Sequence, residues 1–390
     1  MATIHITADF GKWVDYPLVK TKFGIFNSGL VREEHYARDL DLFREVNPES
    51  LRIDLGWGAP WIGWPQEPVT GTAEDIRYDF TEMDGIAKLI NSANCLPYWS
   101  YCYTPIPLQQ PPGEWKSIPS SFEKWGDIVA EFARHYHDTQ MENPVGYHEI
   151  CNEPDNRDFF TGQLSDYLEQ YREGSLAIRR VDSDALIGGP ALAFTFAWIE
   201  PFLDYVAQHA LPLNFFSYHW YGSTNYGGIT FQELQQHIRA IFASRPEFAT
   251  AEFHINEYNS YPVDYPAGGR QEKYALAAAL LSDYKYFIEQ PDITLVHWAQ
   301  FLDSGLGNYS GMVSMEGFRR ATFNAYKLYA MMPVDRRLLN INGADEIDGM
   351  ASADTRKASL ILWNRSEHEQ NLTIDLKQIV TQIASIEDST

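Results

Sequence analysis

Apolar residues recur along this chain in two rhythms. Short apolar runs fall at 23–27, 50–54, 96–101, 146–151, 186–189, 215–220, 252–256 and 294–299. Between them lie stretches whose apolar positions repeat every three or four residues, as in Tyr36, Leu40, Phe43 and Val46, or Met83, Ile86, Leu89 and Ile90. The first rhythm predicts strands and the second amphipathic helices. The helices fall at 33–46, 80–93, 122–137, 163–180, 195–209, 231–242, 271–289 and 320–331. Eight strands alternating with eight helices predict an α/β fold, a (β/α)8 TIM barrel. An open doubly wound sheet is the alternative. It calls for a glycine-rich nucleotide loop, and the chain carries neither G-x-G-x-x-G nor a P-loop.

After Met332-Pro333 the rhythm becomes that of short strands, at 338–341, 350–353, 357–364 and 371–376, with Gly, Asn and Asp between them. The alternating run at 3–8 suits the same unit. The predicted division is a catalytic barrel over 15–332 and a small β-sandwich-like unit from 1–14 plus 333–390.

Composition narrows the function. A net charge of −23 over 390 residues argues against nucleic acid as a partner. It suits an uncharged or cationic small substrate. No apolar run reaches the roughly 18 residues of a membrane span. The N-terminal residues have no basic and apolar signal pattern, so a cytoplasmic location is expected, or a secreted one if a signal was trimmed. Cys95, Cys102 and Cys151 lack metal or disulfide spacing and read as buried free thiols. His135 and His137, two apart on a helix, face different ways and read as surface residues; no metal or other cofactor is expected. Oligomeric state stays open.

The candidate chemistry lies in Gly146–Asp155 and Glu252–Ser260, strand-like runs carrying Glu153 and Glu257 near their ends. Two carboxyls facing across a pocket suit glycosidic bond cleavage, one protonating the leaving oxygen while the other stays ionised. The strings His148-Glu149-Ile150-Cys151-Asn152-Glu153-Pro154-Asp155 and Phe253-His254-Ile255-Asn256-Glu257-Tyr258-Asn259-Ser260 resemble those of clan A retaining glycoside hydrolases, family 39 most closely. The resemblance covers nearly the whole chain. It implies Glu153 as acid/base and Glu257 as nucleophile, Arg52 as a donor to that nucleophile, and Asn152 as a donor to the sugar 2-hydroxyl. It also implies His219 and Tyr221 at the pocket wall; Trp298, at the end of the eighth strand, and Trp99, among the loop aromatics, are expected to face sugar. Each supporting residue has a structural alternative: an ion pair for Arg52, a loop tie for Asn152, a core histidine for His219, an aromatic core layer for Trp298.

Trp57, Trp61, Trp64, Tyr98, Trp99, Tyr101, Tyr103 and Trp115 crowd the second and third βα loops, where flat rings suit pyranose faces. The family's xylosidases carry Arg-x-His-Gly at the second strand, whereas this chain reads Arg52-Ile53-Asp54-Leu55-Gly56. Asp54 then either contacts a differently hydroxylated glycon or pairs with Arg52. The implied activity is retaining, exo-acting hydrolysis of a terminal pentose from plant-derived oligosaccharides. The glycon is β-D-xyloside first, with arabinoside and β-galactoside as alternatives. A carbohydrate-binding barrel without catalysis and an inverting hydrolase are the competing readings.

Overall fold

The computed structural model describes residues 3–27, 32–138, 144–222, 224–225, 229–259, 274–303, 311–343, 345–366 and 368–379. Eight parallel strands close into a barrel. In chain order they are β1 (Phe23–Asn27), β2 (Ser50–Asp54), β3 (Leu96–Tyr101), β4 (Tyr147–Ile150), β5 (Ile187–Leu192), β6 (Phe215–Tyr221), β7 (Glu252–Asn259) and β8 (Ile293–Ala299). The helices around them are α1 (Glu33–Val46), α2 (Thr81–Ser92), α3 (Phe122–Asp138), α4 (Leu164–Val181), α5 (Ile199–Gln208), α6 (Phe231–Ala243), α7 (Tyr274–Ile288) and α8 (Ala321–Met331). Residues 271–273, predicted to open the seventh helix, lie outside the described residues. A hairpin of Val69–Thr72 with Asp75–Tyr78, absent from the sequence reading, fills the β2–α2 connection.

Alternation along each strand sorts side chains between lumen and helix layer. The outward set is apolar: Leu51, Ile53, Trp99, Tyr101, Phe216, Tyr218 and Ile255 belong to the main core. The inward set is polar above an apolar floor. Tyr98, Phe215 and Leu295 pack together at the bottom. Above them Arg52, Ser100, Glu149, Ser217 and Asn256 meet across the lumen. Gly24 on β1 makes room for one inward group. A Cβ there would lie 2.6 Å from the His297 ring and 2.8 Å from the Ser50 carbonyl. His297 accordingly reaches Ser50 Oγ at 2.9 Å.

The unit beside the barrel is a five-stranded sheet. Its order is Ala358–Asn364, Ile347–Ala353, Arg336–Asn342, Ile4–Trp13, Leu372–Lys377. It rests on α7, where Trp363 Nε1 donates to Ser282 Oγ at 2.7 Å and Lys285 Nζ meets Asp348 at 2.5 Å. Among the described residues no helix is long and apolar enough to cross a membrane.

Candidate active site

Arg52 is the hub of the upper barrel. It stands on β2, wholly buried, so its guanidinium donors need partners within the protein. Nε donates to Glu149 Oε2 at 2.8 Å, Nη1 to Glu257 Oε1 at 3.0 Å, and Nη2 to Asn152 Oδ1 at 2.8 Å. Nη1 also lies 3.2 Å from Asp54 Oδ1. One cation therefore serves three carboxylates and an amide.

Glu257 reaches this hub through an irregularity. His254 and Asn256 of β7 point inward, so strict alternation would turn residue 257 outward. The register against β6 shifts between Ile255 and Glu257, a β-bulge, and brings Glu257 opposite His219. Bulges re-aim side chains in this way. Tyr221 OH then donates to Glu257 Oε2 at 2.6 Å.

Glu153 is presented by a turn rather than by strand alternation. Cys151 and Glu153 both hold left-handed backbone, with φ of 72° and 46°. Non-glycine residues seldom take that conformation, and it clusters at functional sites. The turn directs Asn152 to Arg52 and Glu153 to His219 Nδ1 at 2.7 Å. Asn156 Nδ2 donates to the other Glu153 oxygen at 2.7 Å. Asn152 also donates to Tyr103 OH at 3.0 Å.

His219 stands between the two glutamates, its Nε2 3.6 Å from Glu257 Oε1. One ligand-type atom from each of Glu153, His219 and Glu257 lies within 4.8 Å of the other two. These three could hold a cation; Glu153 and His219 Nδ1 already bond one another and Glu257 is held by Arg52 and Tyr221, while His219 Nε2 is buried with no hydrogen-bond partner. Burial sets their proton affinities. It pushes Glu153 up to about 7, with the Asn156 hydrogen bond opposing. It pushes Glu257 up to about 7 too, against the attraction of His219 and Arg52. Asp54 follows, up to about 7, with Arg52 opposing. Burial lowers His219 to about 4, so its ring is neutral near pH 7.

A family model described as glycosyl hydrolases family 39 matches residues 19–373. The chain belongs to that family. Among curated relatives, a β-xylosidase of Geobacillus stearothermophilus is 24% identical over 344 residues, 78% of this chain and 65% of that protein. A β-xylosidase of Caldicellulosiruptor saccharolyticus is 38% identical over 106 residues, 26% of this chain and 22% of that protein. The chain thus spans less than two thirds of either relative. The GH39 enzyme from Xanthomonas axonopodis pv. citri superposes with a TM-score of 0.74 at 19% identity, over 95% of this chain and 77% of that one. A GH39 β-xylosidase from Caulobacter crescentus gives 0.70 at 17%, over 96% and 83%. At such identities the likeness speaks for the fold: a TIM barrel with an attached β unit.

Within this family 39 barrel, Arg52, Asp54, Asn152, Glu153, His219, Tyr221 and Glu257 come together at the C-terminal ends of their strands, the usual place of TIM-barrel active sites. Two sequence expectations fail. Trp99 follows the outward side of β3, opposite to Ser100, and packs its ring 5.5 Å from Tyr136 of α3. Trp298 is likewise outward because its neighbour His297 fills the lumen; it packs on Tyr258, and neither tryptophan is exposed. Both are core, and neither faces sugar. Trp61, Tyr103, Trp115 and Phe159 instead form an aromatic cluster beside Asn152.

The sequence reading also passed over Glu149. Fully buried, it accepts from Arg52, from Ser217 Oγ at 2.5 Å and from Asn256 Nδ2. It anchors the face of Arg52 turned away from Glu257. Its signal was a carboxylate two residues from an inward tyrosine on a barrel strand. The three cysteines are free and buried. His135 and His137 part company: one meets Asp84 at 2.7 Å, the other Asp182 at 3.6 Å.

Proposed function

We propose that this chain removes terminal β-D-xylosyl or similar pentosyl units from oligosaccharides by double displacement. The observation that carries the reading is the closeness of Glu153 and Glu257 across His219. It suits the retaining arrangement, with carboxyls roughly 5–5.5 Å apart, and leaves no room for the intervening water of an inverting site. Two buried carboxyls so near share one proton at neutral pH. Arg52 and the Tyr221 hydroxyl both touch Glu257, so the charge settles there and the proton on Glu153.

Glu257 attacks the anomeric carbon as the bond to the leaving oxygen breaks, and Glu153 hands its proton to that oxygen. The glycosyl–enzyme ester is then opened by water, which gives a proton back to Glu153. Asn152, its oxygen fixed by Arg52 and one N–H taken by Tyr103, keeps its other N–H for the sugar 2-hydroxyl. The aromatic cluster beside it favours a pocket closed at one end, hence attack from chain ends. The β-xylosidase relatives support xylose as glycon.

A panel of nitrophenyl glycosides tests the reading. The β-D-xyloside should turn over fastest, and proton NMR at early times should show the β-anomer of xylose first. An α-anomer first would sink double displacement. Folded protein that releases nothing from any glycoside would favour a binding barrel.

A further inference from the structure

The turn that presents Glu153 is held from two sides. The Asn156 N–H closes it by donating to the Glu153 carbonyl at 2.9 Å, with Pro154 at the second position, where its fixed φ suits a turn. Cys151 and Glu153 keep left-handed φ here, a conformation that persists only where surrounding contacts over-determine it. Asp155 supplies such contacts. Its carboxylate accepts three consecutive backbone N–H groups from the loop after β5: Ala193 at 3.0 Å, Phe194 at 2.7 Å and Thr195 at 2.5 Å. Successive N–H groups converging on one anion bind it well, so the turn is tied to a second element.

Asn156 acts at the carboxyl itself. Its Oδ1 accepts from the Asp158 N–H at 3.0 Å, which fixes the amide with Nδ2 toward Glu153 Oε2, 2.7 Å away. The two neighbours therefore press on the Glu153 proton in opposite senses. An N–H donor favours the carboxylate, and a nearby negative charge favours the acid. Burial is the largest influence and raises the proton affinity of Glu153; Asn156 opposes it and Asp155 adds to it. The other titratable or charged groups around Glu153 are His219 of β6, Glu257 of β7, Arg52 and Asp54 of β2, Tyr103 after β3, and Asp158 on the turn.

We propose that Asp155 and Asn156 are the positioning pair of the acid/base: Asp155 pins its turn to the loop after β5, Asn156 orients its carboxyl through Oε2, and together they let one carboxyl give a proton in the first step and take one in the second. The proposal rests on Glu153 being the acid/base.

The test follows kcat/KM on β-D-xylobiose against pH. The basic limb reports loss of the Glu153 proton in the free enzyme. Asp155→Asn removes a negative charge, so the proton leaves more easily and the limb should move toward acid. Asn156→Ala removes the donor to the carboxylate, so the limb should move toward alkali. Asn156→Asp, equal in size, should move it further the same way. Each shift should be about half to one pH unit. General damage to the fold would lower activity without moving the limb in opposite directions. Asp155→Asn should also cost xylobiose roughly tenfold more than dinitrophenyl β-D-xyloside, whose leaving group needs little protonation. Limbs that stay put, or that move the same way in Asp155→Asn and Asn156→Ala, overturn the proposal.

A carbon-13 NMR titration of glutamate-labelled protein gives the same readout without turnover, the Glu153 signal being identified by its loss in Glu153→Gln. Its midpoint should fall in Asp155→Asn and rise in Asn156→Ala. Opposite shifts in a protein that cleaves no glycoside would defeat the hydrolase reading and still uphold the pair. Shifts of one sign, or none, overturn the pair whatever the activity. Hydrogen exchange at the amides of Ala193, Phe194 and Thr195 should quicken in Asp155→Asn; exchange unchanged there overturns the clamp.

Discussion

At the residue scale the site is a problem of too many carboxyls for one cation. Arg52 Nη1 lies 3.0 Å from Glu257 and 3.2 Å from Asp54. Glu153 is pushed up to about 7, so rising pH strips its proton and should switch off kcat/KM on unactivated xylosides with a limb near pH 7. Glu153→Ala should remove that limb, hurt nitrophenyl substrates least and respond to azide, whereas Glu257→Ala should abolish turnover on all substrates. Asp54 adds negative charge beside both glutamates as it ionises. Asp54→Asn deletes that charge, makes both carboxyls easier to ionise, and should move the whole pH–rate bell toward acid by up to about one unit. Because Asp54 is paired with Arg52, its loss should scale every glycoside by a similar factor. A bell that stays put, with losses differing between glycons, would instead mean that Asp54 reads the sugar.

At the element scale the governing fact is which way a barrel strand turns each side chain. Gly24 offers a test away from the carboxyls. Adding one Cβ forces His297 off Ser50, and overpacking of this kind costs about 1–3 kcal/mol. Gly24→Ala should therefore lower the urea midpoint without changing the slope of unfolding. The order of strands and helices was legible because the two apolar rhythms are strong and alternate without a break. What the periodicity hid was the polarity of the lumen. A place at a strand end or in the aromatic-rich βα loops sends Trp298 and Trp99 to the pocket, yet His297 and Ser100 own those inward positions. Glu149 stands within β4, below the strand end, and a polar group facing the lumen there leaves no mark in apolar periodicity. Glu153 and Glu257 were legible only as motif residues. A bulge and a left-handed turn deliver them, and neither leaves a mark in hydrophobic patterning.

At the scale of the whole molecule both ends of the chain meet in one sheet. Ile4–Trp13 is an inner strand, antiparallel to Arg336–Asn342 on one side and parallel to Leu372–Lys377 on the other. Its Ile4, Ile6, Ala8 and Phe10 are buried, and burying an Ile or Phe stabilises by roughly 1.5–3 kcal/mol each. The outer strand is different: Leu372, Ile374 and Leu376 are 39%, 44% and 45% exposed, and among the described residues it pairs with one neighbour. Deleting residues 1–13 strips the ladder from two strands at once and opens the sheet that covers α7 through Trp363 and Asp348. Deleting 371–390 takes away, among the described residues, an edge strand whose apolar side chains are largely exposed. The first deletion should therefore lower Tm by many degrees and expose the 334–366 segment to proteolysis, while the second should shift Tm only slightly. The barrel keeps its own core, so activity of whatever fraction stays folded should survive both. Thermal unfolding and limited proteolysis of the two deletions measure this directly. Equal losses would mean that the edge strand contributes as much to the sheet as the inner one.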